Sequence, residues 1–308
     1  MKSPFTRLLY LLLLLLSNTY ANSQTVSGFI NSYYKVTQFV PTYNGVRLQS
    51  IAGLSVGDKV LLIQMKGAVI TETNSAAFGS VSSIGSAGTY EFLSICGFLN
   101  DTVVFSDAVQ NTYDVNAQVQ LVSIPVFTDV TVTGTLRAGE WDPVAGTGGV
   151  LALEASGTVT LQADVSADSA GFKGGALFYN TTNRCLAQSN WFYSQTQSSS
   201  PNLGGSPKGE GIASFISLKE YGRGKQANGG GGANVDNTGG GGGANYGAGG
   251  QGGNKTNAGI CVSSTPGQGG ASLAAFGYSS SDNRVFMGGG GGCGEMNNVY
   301  SAPYPAGT

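Results

Sequence analysis

Runs of bare glycine constrain this chain more than anything else in it. Thr238 to Asn257 reads TGGGGGANYGAGGQGGNKTN, half of it glycine, and glycine makes up 50 of the 308 residues. Glycine loses more freedom on ordering than any other residue. Such a segment is therefore a tether, a phosphate-binding loop, or a place where the missing side chain lets backbones meet. A phosphate loop needs glycine directly before Lys-Ser/Thr, between a buried parallel strand and a helix. Here Asn254 precedes Lys255 and Thr256, with no apolar strand upstream and no helical period downstream. A dinucleotide fingerprint fails too, since any glycine-dense run contains G-x-G-x-x-G by chance.

The tether reading meets two obstacles. Ile260, Val262, Leu273, Phe276, Val285, Phe286 and Met287 punctuate the region, and linkers lack large apolar residues. The runs also recur in a fixed form, Asn228–Asn234 and Gly239–Asn245, each ending in Ala-Asn, with a third run from Gly288 to Gly292. These features predict extended polyglycine helices packed side by side, much as collagen needs glycine at its axis, with a loop-rich region as the alternative.

Upstream the chain reads as β-structure. Lys59–Met65 is an apolar run after the Gly57-Asp58 turn. Tyr90–Ile95, Thr102–Phe105 and Gln118–Val122 follow, and none shows a helical period. From Phe127 to about Gly171, Thr-rich alternation takes over. Thr131–Arg137 and Thr158–Ala167 share a phase that places Thr131 level with Thr158, and Gly149–Glu154 reads as a strand between them. Two similar strands at that spacing suit successive coils of a β-solenoid, or a sandwich. The expected fold is all-β. A signal segment occupies residues 1–23 and a small β domain 24–125. Solenoid-like or sandwich strands span 126–171, and a glycine-rich domain, cut short at its C-terminal end, spans 172–308. Asn180 to Pro201 reads as a long loop.

Lys2 and Arg7 precede the apolar run Leu8–Leu16, and Ala21-Asn22-Ser23 forms a small-x-small cleavage site. The run is shorter than the ~20 residues that cross a bilayer, so export is expected, with no transmembrane segment after cleavage. Only 10% of residues are charged and the net charge is −2, which argues against nucleic acid as a partner. Lys208, Lys219, Arg223 and Lys225 form the densest basic cluster, and with Glu210 and Glu220 interleaved they read as a solvated loop. The chain has no histidine, which excludes Ser-His-Asp and Cys-His nucleophile pairs and most zinc sites. Four cysteines, Cys96, Cys185, Cys261 and Cys293, allow three pairings. Cys261 with Cys293 is preferred, because a crosslink there would limit the unfolded-state freedom of a glycine-rich segment.

Taken together, Gly57–Ala68, Gly88–Phe92, Asn111–Asn116, Gly148–Leu153, Gly171–Gly175 and Lys208–Ala213 before Gly222-Arg223-Gly224 resemble a known group. They are similar to the N-terminal region of large secreted surface proteins of gliding Bacteroidota. The resemblance spans nearly the whole mature chain. It implies a secreted or cell-surface, adhesin-like protein that continues into repeat domains and a type 9 secretion sorting domain, and it implies no catalytic residues. By composition, the glycine-rich part also resembles those of receptor ectodomains and phage tail adhesins.

The expectation is thus a non-enzymatic structural or adhesin-like protein whose partners are surface glycans or extracellular matrix. No catalytic, cofactor or metal residue is assigned. The alternative is a carbohydrate-active β-solenoid enzyme or glycan-binding module, with Asp164 and Asp168 as candidate acids. Thr131, Thr133 and Thr135 form a T-x-T-x-T ladder, for which strand propensity is sufficient reason. Gly231–Asp236 approaches a calcium nonapeptide but carries Asn234 where glycine is needed. Thr102 and Ser169, in Asp-Thr-Val and Asp-Ser-Ala, match a short O-glycosylation pattern of Bacteroidota.

Overall fold

The computed structural model describes residues 23–177, 189–196, 204–235, 237–254, 264–276 and 284–295. Residues 1–22 of the expected signal segment lie outside them. Among the described residues the regular structure is strand and short 3-10 turns, with no α-helix. The chain is all-β.

Strand β1 (Gln24–Phe29) leads into β2 (Tyr33–Val40) and β3 (Gly45–Leu48), and β4 (Lys59–Gln64) follows. A small hairpin, β5 (Val69–Ile70) and β6 (Val81–Ser83), precedes β7 (Tyr90–Leu99), β8 (Thr102–Phe105) and β9 (Val119–Ile124). Six of these close an antiparallel barrel in the order β2-β3-β8-β7-β4-β9. Its tight corners fall where the sequence supplies asparagine. Asn44 (φ 48°) turns β2 into β3, and Asn100 (φ 51°) turns β7 into β8, both in the left-handed region that asparagine tolerates. Val36, Val46, Val60, Leu62, Leu93, Ile95, Val103 and Leu121 fill the interior.

The apolar run of β4 has a simple cause: both its faces are buried. Val60 and Leu62 point into the barrel, while Leu61 and Ile63 point out, onto a second core with Trp141, Phe172, Ile212, Leu273, Phe286 and Met287. That second core joins the barrel to the β11–β12 connection and to the glycine-rich part.

The remaining strands are β10 (Val126–Phe127), β11 (Val130–Arg137), β12 (Glu154–Ala155), β13 (Val159–Leu161) and β14 (Val165–Ser166). They pair in parallel, and β1, which precedes the barrel and lies outside it, joins them, giving the order β1-β11-β13 with β14 also on β11. Thr131 pairs with Thr160 rather than standing level with Thr158. Inward apolar residues set this register, with Val130, Val132 and Leu136 over Val159, Leu161 and Val165. The strand expected at Gly149–Glu154 begins only at Glu154. Side chains hold the segment before it instead. Gln120 exchanges two hydrogen bonds with Gly148, both 2.8 Å, and Asn31 Oδ1 accepts from Ala152 N at 3.0 Å.

In the glycine-rich part, successive N–H groups donate in different directions. Gly230 donates to Gly290 O (2.9 Å), Gly231 to Gln268 O (2.8 Å) and Gly232 to Gly222 O (2.9 Å). Ala233 then returns to the first neighbour at Cys293 (2.9 Å), and Asn234 to the second at Thr265 (3.1 Å). The direction repeats every three residues. Gly239 and Gly242 likewise reach Gly253 and Gly250, while Gly241 and Ala244 reach Gly231 and Asn228. Segments 205–211, 229–234, 239–244, 249–253, 265–270 and 288–293 thus bond to one another through backbone hydrogen bonds. None of the glycines in these segments has a left-handed φ. Glycine is present for space: a Cβ on Gly241 would stand 1.8 Å from Gln268 O, and one on Gly243 1.8 Å from Gly289 O.

The Ala-Asn endings also have a structural cause. Ala233 and Ala244 are buried where a methyl group fits, and Asn245 Nδ2 reaches Phe286 O at 3.2 Å. Asn228, which opens the first run, ties three segments. Its Oδ1 accepts from Ile212 N at 2.8 Å, and its Nδ2 donates to Ala244 O and Met287 O at 3.1 Å.

Gly241→Ala should destabilise the fold by about 3 kcal/mol, because the clash is with backbone that has no room to move. Gly247→Ala, where a Cβ would meet nothing within 4 Å, should change stability by less than about 0.5 kcal/mol. Denaturant unfolding of the two variants compares them; equal stabilities would remove close approach as the reason for the runs.

Candidate functional site

The densest chemistry lies where barrel, β11–β12 connection and glycine-rich part meet. Lys66 stands two residues past the end of β4 and is 4% exposed; Glu210, in the segment Lys208-Gly209-Glu210-Gly211, is 5% exposed. Their side chains form an ion pair. The second carboxylate oxygen of Glu210 accepts from Trp141 Nε1 at 2.9 Å and from the Lys173 backbone N–H at 3.2 Å. Trp141 meets Phe172 edge-on at 5.3 Å between centroids, and Lys66 Nζ lies 5.3 Å from the same Phe172 ring. Burial pushes the Lys66 pKa down, and the Glu210 carboxylate opposes that shift. One carboxylate thus gathers donors from three parts of the chain.

Lys208, two residues earlier, is 2% exposed. Its Nζ donates to Trp191 O (2.9 Å), Gly222 O (3.0 Å) and Gly224 O, and lies 4.6 Å from the Phe78 ring centroid. All three donors of the ammonium are used. Burial holds its pKa well below the ordinary lysine value. The basic cluster is therefore not a solvated loop. Lys208 and Glu210 are buried, Arg223 stacks on Trp191 at 4.1 Å, and Lys219 bridges Glu72 at 2.7 Å and lies 4.9 Å from Phe192. Composition misled here because six charges in a short span suggest water, whereas backbone carbonyls and aromatic faces receive them.

Beside the ion pair is a pocket of about 480 Å³ bordered by Lys66, Lys173, Glu210, Phe215 and Tyr221. A larger groove of about 980 Å³ runs between the parallel strands and the third glycine run, bordered by Val165, Asp168, Ser169, Asn245, Phe286 and Met287.

The sequence candidates scatter around these features. Asp164 is exposed, its carbonyl accepting from Leu136 N at 2.9 Å, and Asp168 is exposed on the groove rim. Ser169 is also exposed there, in a left-handed conformation (φ 61°). Thr102 is 3% exposed, in β8 between Arg47 and Leu99, so in the folded chain a glycosyltransferase has no access to it. Cys293 is buried with Sγ 3.0 Å from Gly294 O; Cys261 lies outside the described residues, and no disulfide joins the described ones. Thr131 is flanked by Thr25 and Thr160 on its neighbouring strands. Of the calcium-like stretch, Gly231–Val235 are buried in the glycine lattice and Asp236 lies outside the described residues. Among the described residues no group of three acidic, cysteine or histidine side chains could hold a metal.

Sequence reasoning missed Lys66, Trp141, Lys208 and Glu210. One signal was present: Lys66 closes an apolar run, and Lys208 and Glu210 alternate with glycines whose Cβ positions would fall 2.0 and 2.4 Å from backbone oxygens. Charges spaced by such glycines belong to the lattice, not to solvent.

No protein-family model matches the chain, and no curated protein is significantly similar to it. One solved structure with some likeness is the tailspike protein gp49 from Pseudomonas phage LKA1. The identity is 13% and the TM-score 0.22, over 51% of this chain and 24% of that one, too slight a likeness to carry an argument.

Two outcomes test this junction. Glu210→Gln should destabilise the chain by about 3–5 kcal/mol by leaving Lys66 buried without its counter-charge, and Lys66→Met in addition should recover part of that loss. For Lys208 the folded pKa lies below the ~10.4 of a solvated lysine, so between those values the unfolded chain holds the extra proton. Stability should then rise with pH through that interval and be complete above it, whereas Lys208→Met should lack the rise. Thermal midpoints measured from neutral pH to pH 10 would reveal a flat wild-type profile if the cage keeps its proton throughout.

Proposed function

We propose that this chain is a non-catalytic, secreted or cell-surface structural module of adhesin-like character, displayed toward surface glycans or extracellular matrix. The observation that carries the reading is how the buried charge is used. Lys66 and Glu210 pair with each other, and Glu210 also binds Trp141 and the Lys173 N–H, which ties the barrel to the glycine-rich part, while Lys208 caps three backbone carbonyls beside the Phe78 ring. A site for chemistry needs a nucleophile or acid free to face substrate; here the buried titratable groups bind the scaffold together.

Two finer readings of the fold belong to the same proposal. The parallel stacking of β1, β11 and β13/β14, with apolar residues in line, supports β-solenoid rungs. Hydrogen-bond directions that repeat every three residues support packed polyglycine helices, since the polyproline II geometry has three residues per turn. Both architectures make stiff rods and slabs with side chains displayed on their surfaces. That suits display outside the cell, as do the exported leader and the low charge.

The groove favours one second reading. Asp168, Ser169 and Asn245 give it polar groups at the rim, which would suit a glycan ligand, bound or cleaved. Cells of the source organism lacking this gene should attach to and spread on surfaces less well than wild type, and unchanged attachment would sink the adhesive role. Polysaccharide turnover by the purified chain that disappears in Asp164→Ala or Asp168→Ala would replace it with the enzymatic one.

A further inference from the structure

We propose that the outer edge of β13 and β14 is a docking edge for β1 of a second copy of this chain, so that copies stack head to tail and continue the parallel sheet.

The argument begins at β11, which uses the same five residues on both of its edges. Val130, Thr131, Val132, Leu136 and Arg137 pair with Gln24, Thr25, Val26, Gly28 and Phe29 on one side. They pair with Val159, Thr160, Leu161, Val165 and Ser166 on the other. The hydrogen bonds keep one phase. Gln24 N donates to the carbonyl preceding Val130 (Asp129, 3.0 Å), and Val130 N to the carbonyl preceding Val159 (Thr158, 2.9 Å). Leu136 N does the same toward Val165, through Asp164 O at 2.9 Å. The outer edge of β13/β14 is therefore equivalent to the β11 edge that holds β13/β14. The outer edge of β1 is equivalent to the β11 edge that holds β1. Two copies would bring together the two kinds of edge that already meet twice within one chain.

Side chains agree with the backbone. Val130, Val132 and Leu136 are 0% exposed, because a strand lies on each side of them. Their register partners Val159, Leu161 and Val165 are 43%, 62% and 50% exposed, although they continue the same inward-facing ladder. Natural sheets blunt open edges with lysine, proline or bulges. From Val159 to Ser166 the sequence has neither lysine nor proline, and Asp164 is its single charge. Among the described residues β13 and β14 pair with β11 alone, and so does β1. The contact joins unlike edges, so nothing in it limits assembly to a dimer.

Sedimentation equilibrium and light scattering on the mature chain test this. The wild-type mass should grow with concentration and pass beyond the dimer. Leu161→Asp should weaken association by about tenfold or more, since it places a charge in the apolar ladder. Val165→Lys on β14 provides a second, independent block, and both sites are exposed enough for the fold to tolerate a charge, which near-UV dichroism checks. Either variant keeps its β1 edge. Added in small amounts to wild type, it should cap growing stacks and lower the mean mass. A wild type that stays monomeric overturns the proposal, as do variants that assemble like wild type. So does a wild-type dimer that small amounts of variant leave untouched, since that would be a symmetric contact between like edges.

Discussion

Backbone meeting backbone without side chains between is the constraint on which the C-terminal half depends. At Gly230, Gly241, Gly243 and Gly292 a methyl group would stand within about 2 Å of a carbonyl oxygen on a neighbouring segment. At that separation many of the N–H groups, among them those of Gly230, Gly241 and Gly292, find an acceptor on an adjacent segment, and these bonds replace what apolar side chains do elsewhere. A net gain of about 1 kcal/mol per bond is of the size of glycine's additional ordering cost, about 0.5–1 kcal/mol, so the lattice is close to neutral alone. It needs an apolar wall. The outward face of β4 supplies one, with Leu61 and Ile63 meeting Ile212, Leu273, Phe286 and Met287.

That dependence explains why the charged junction lies where it does. The wall and the lattice come from distant parts of the chain, and hydrophobic contact alone would let one slide over the other. Glu210 fixes the alignment because its bonds are directional: Lys66 from the barrel, Trp141 from the β11–β12 connection, and the Lys173 N–H from the segment entering the glycine-rich part. A buried ion pair is a weak source of stability but a strong source of register. Tyr33 acts in the same direction with no charge, accepting from Gly139 N at 2.8 Å and donating to Val150 O at 2.5 Å.

Legibility in the sequence followed the physics of each part. β4 was legible because a strand buried on both faces is apolar throughout. The parallel strands were legible in phase but two residues off in register, since threonines lie on both sides of the ladder and only the apolar residues decide. Gly149–Glu154 misled for a related reason. Gly-Val-Leu-Ala-Leu has strand composition, yet its polar groups are satisfied by the Gly139 carbonyl and by the side chains of Tyr33 and Asn31. By its place in the sequence β1 falls within the small β domain expected at 24–125, whereas its partner is over one hundred residues downstream, a pairing no local pattern announces. The junction was hidden most deeply. Lysine and glutamate among glycines look solvated until one knows that those glycines are packed.

The two halves of the chain answer the same problem in opposite ways. In the barrel, closure leaves no strand edge, and side chains alternate between a sealed interior and the second core. In the parallel strands and the glycine lattice nothing closes; each strand or segment is satisfied only by having neighbours, and the outermost one is always short of a partner. Within the lattice that shortage falls on glycine, whose exposed backbone water can satisfy. On the parallel stack it falls on Val159, Leu161 and Val165, for which water is no substitute. An open architecture of this kind does not itself fix where it stops, so the chemistry of its last strand, more than that of its interior, governs whether it takes on a further neighbour.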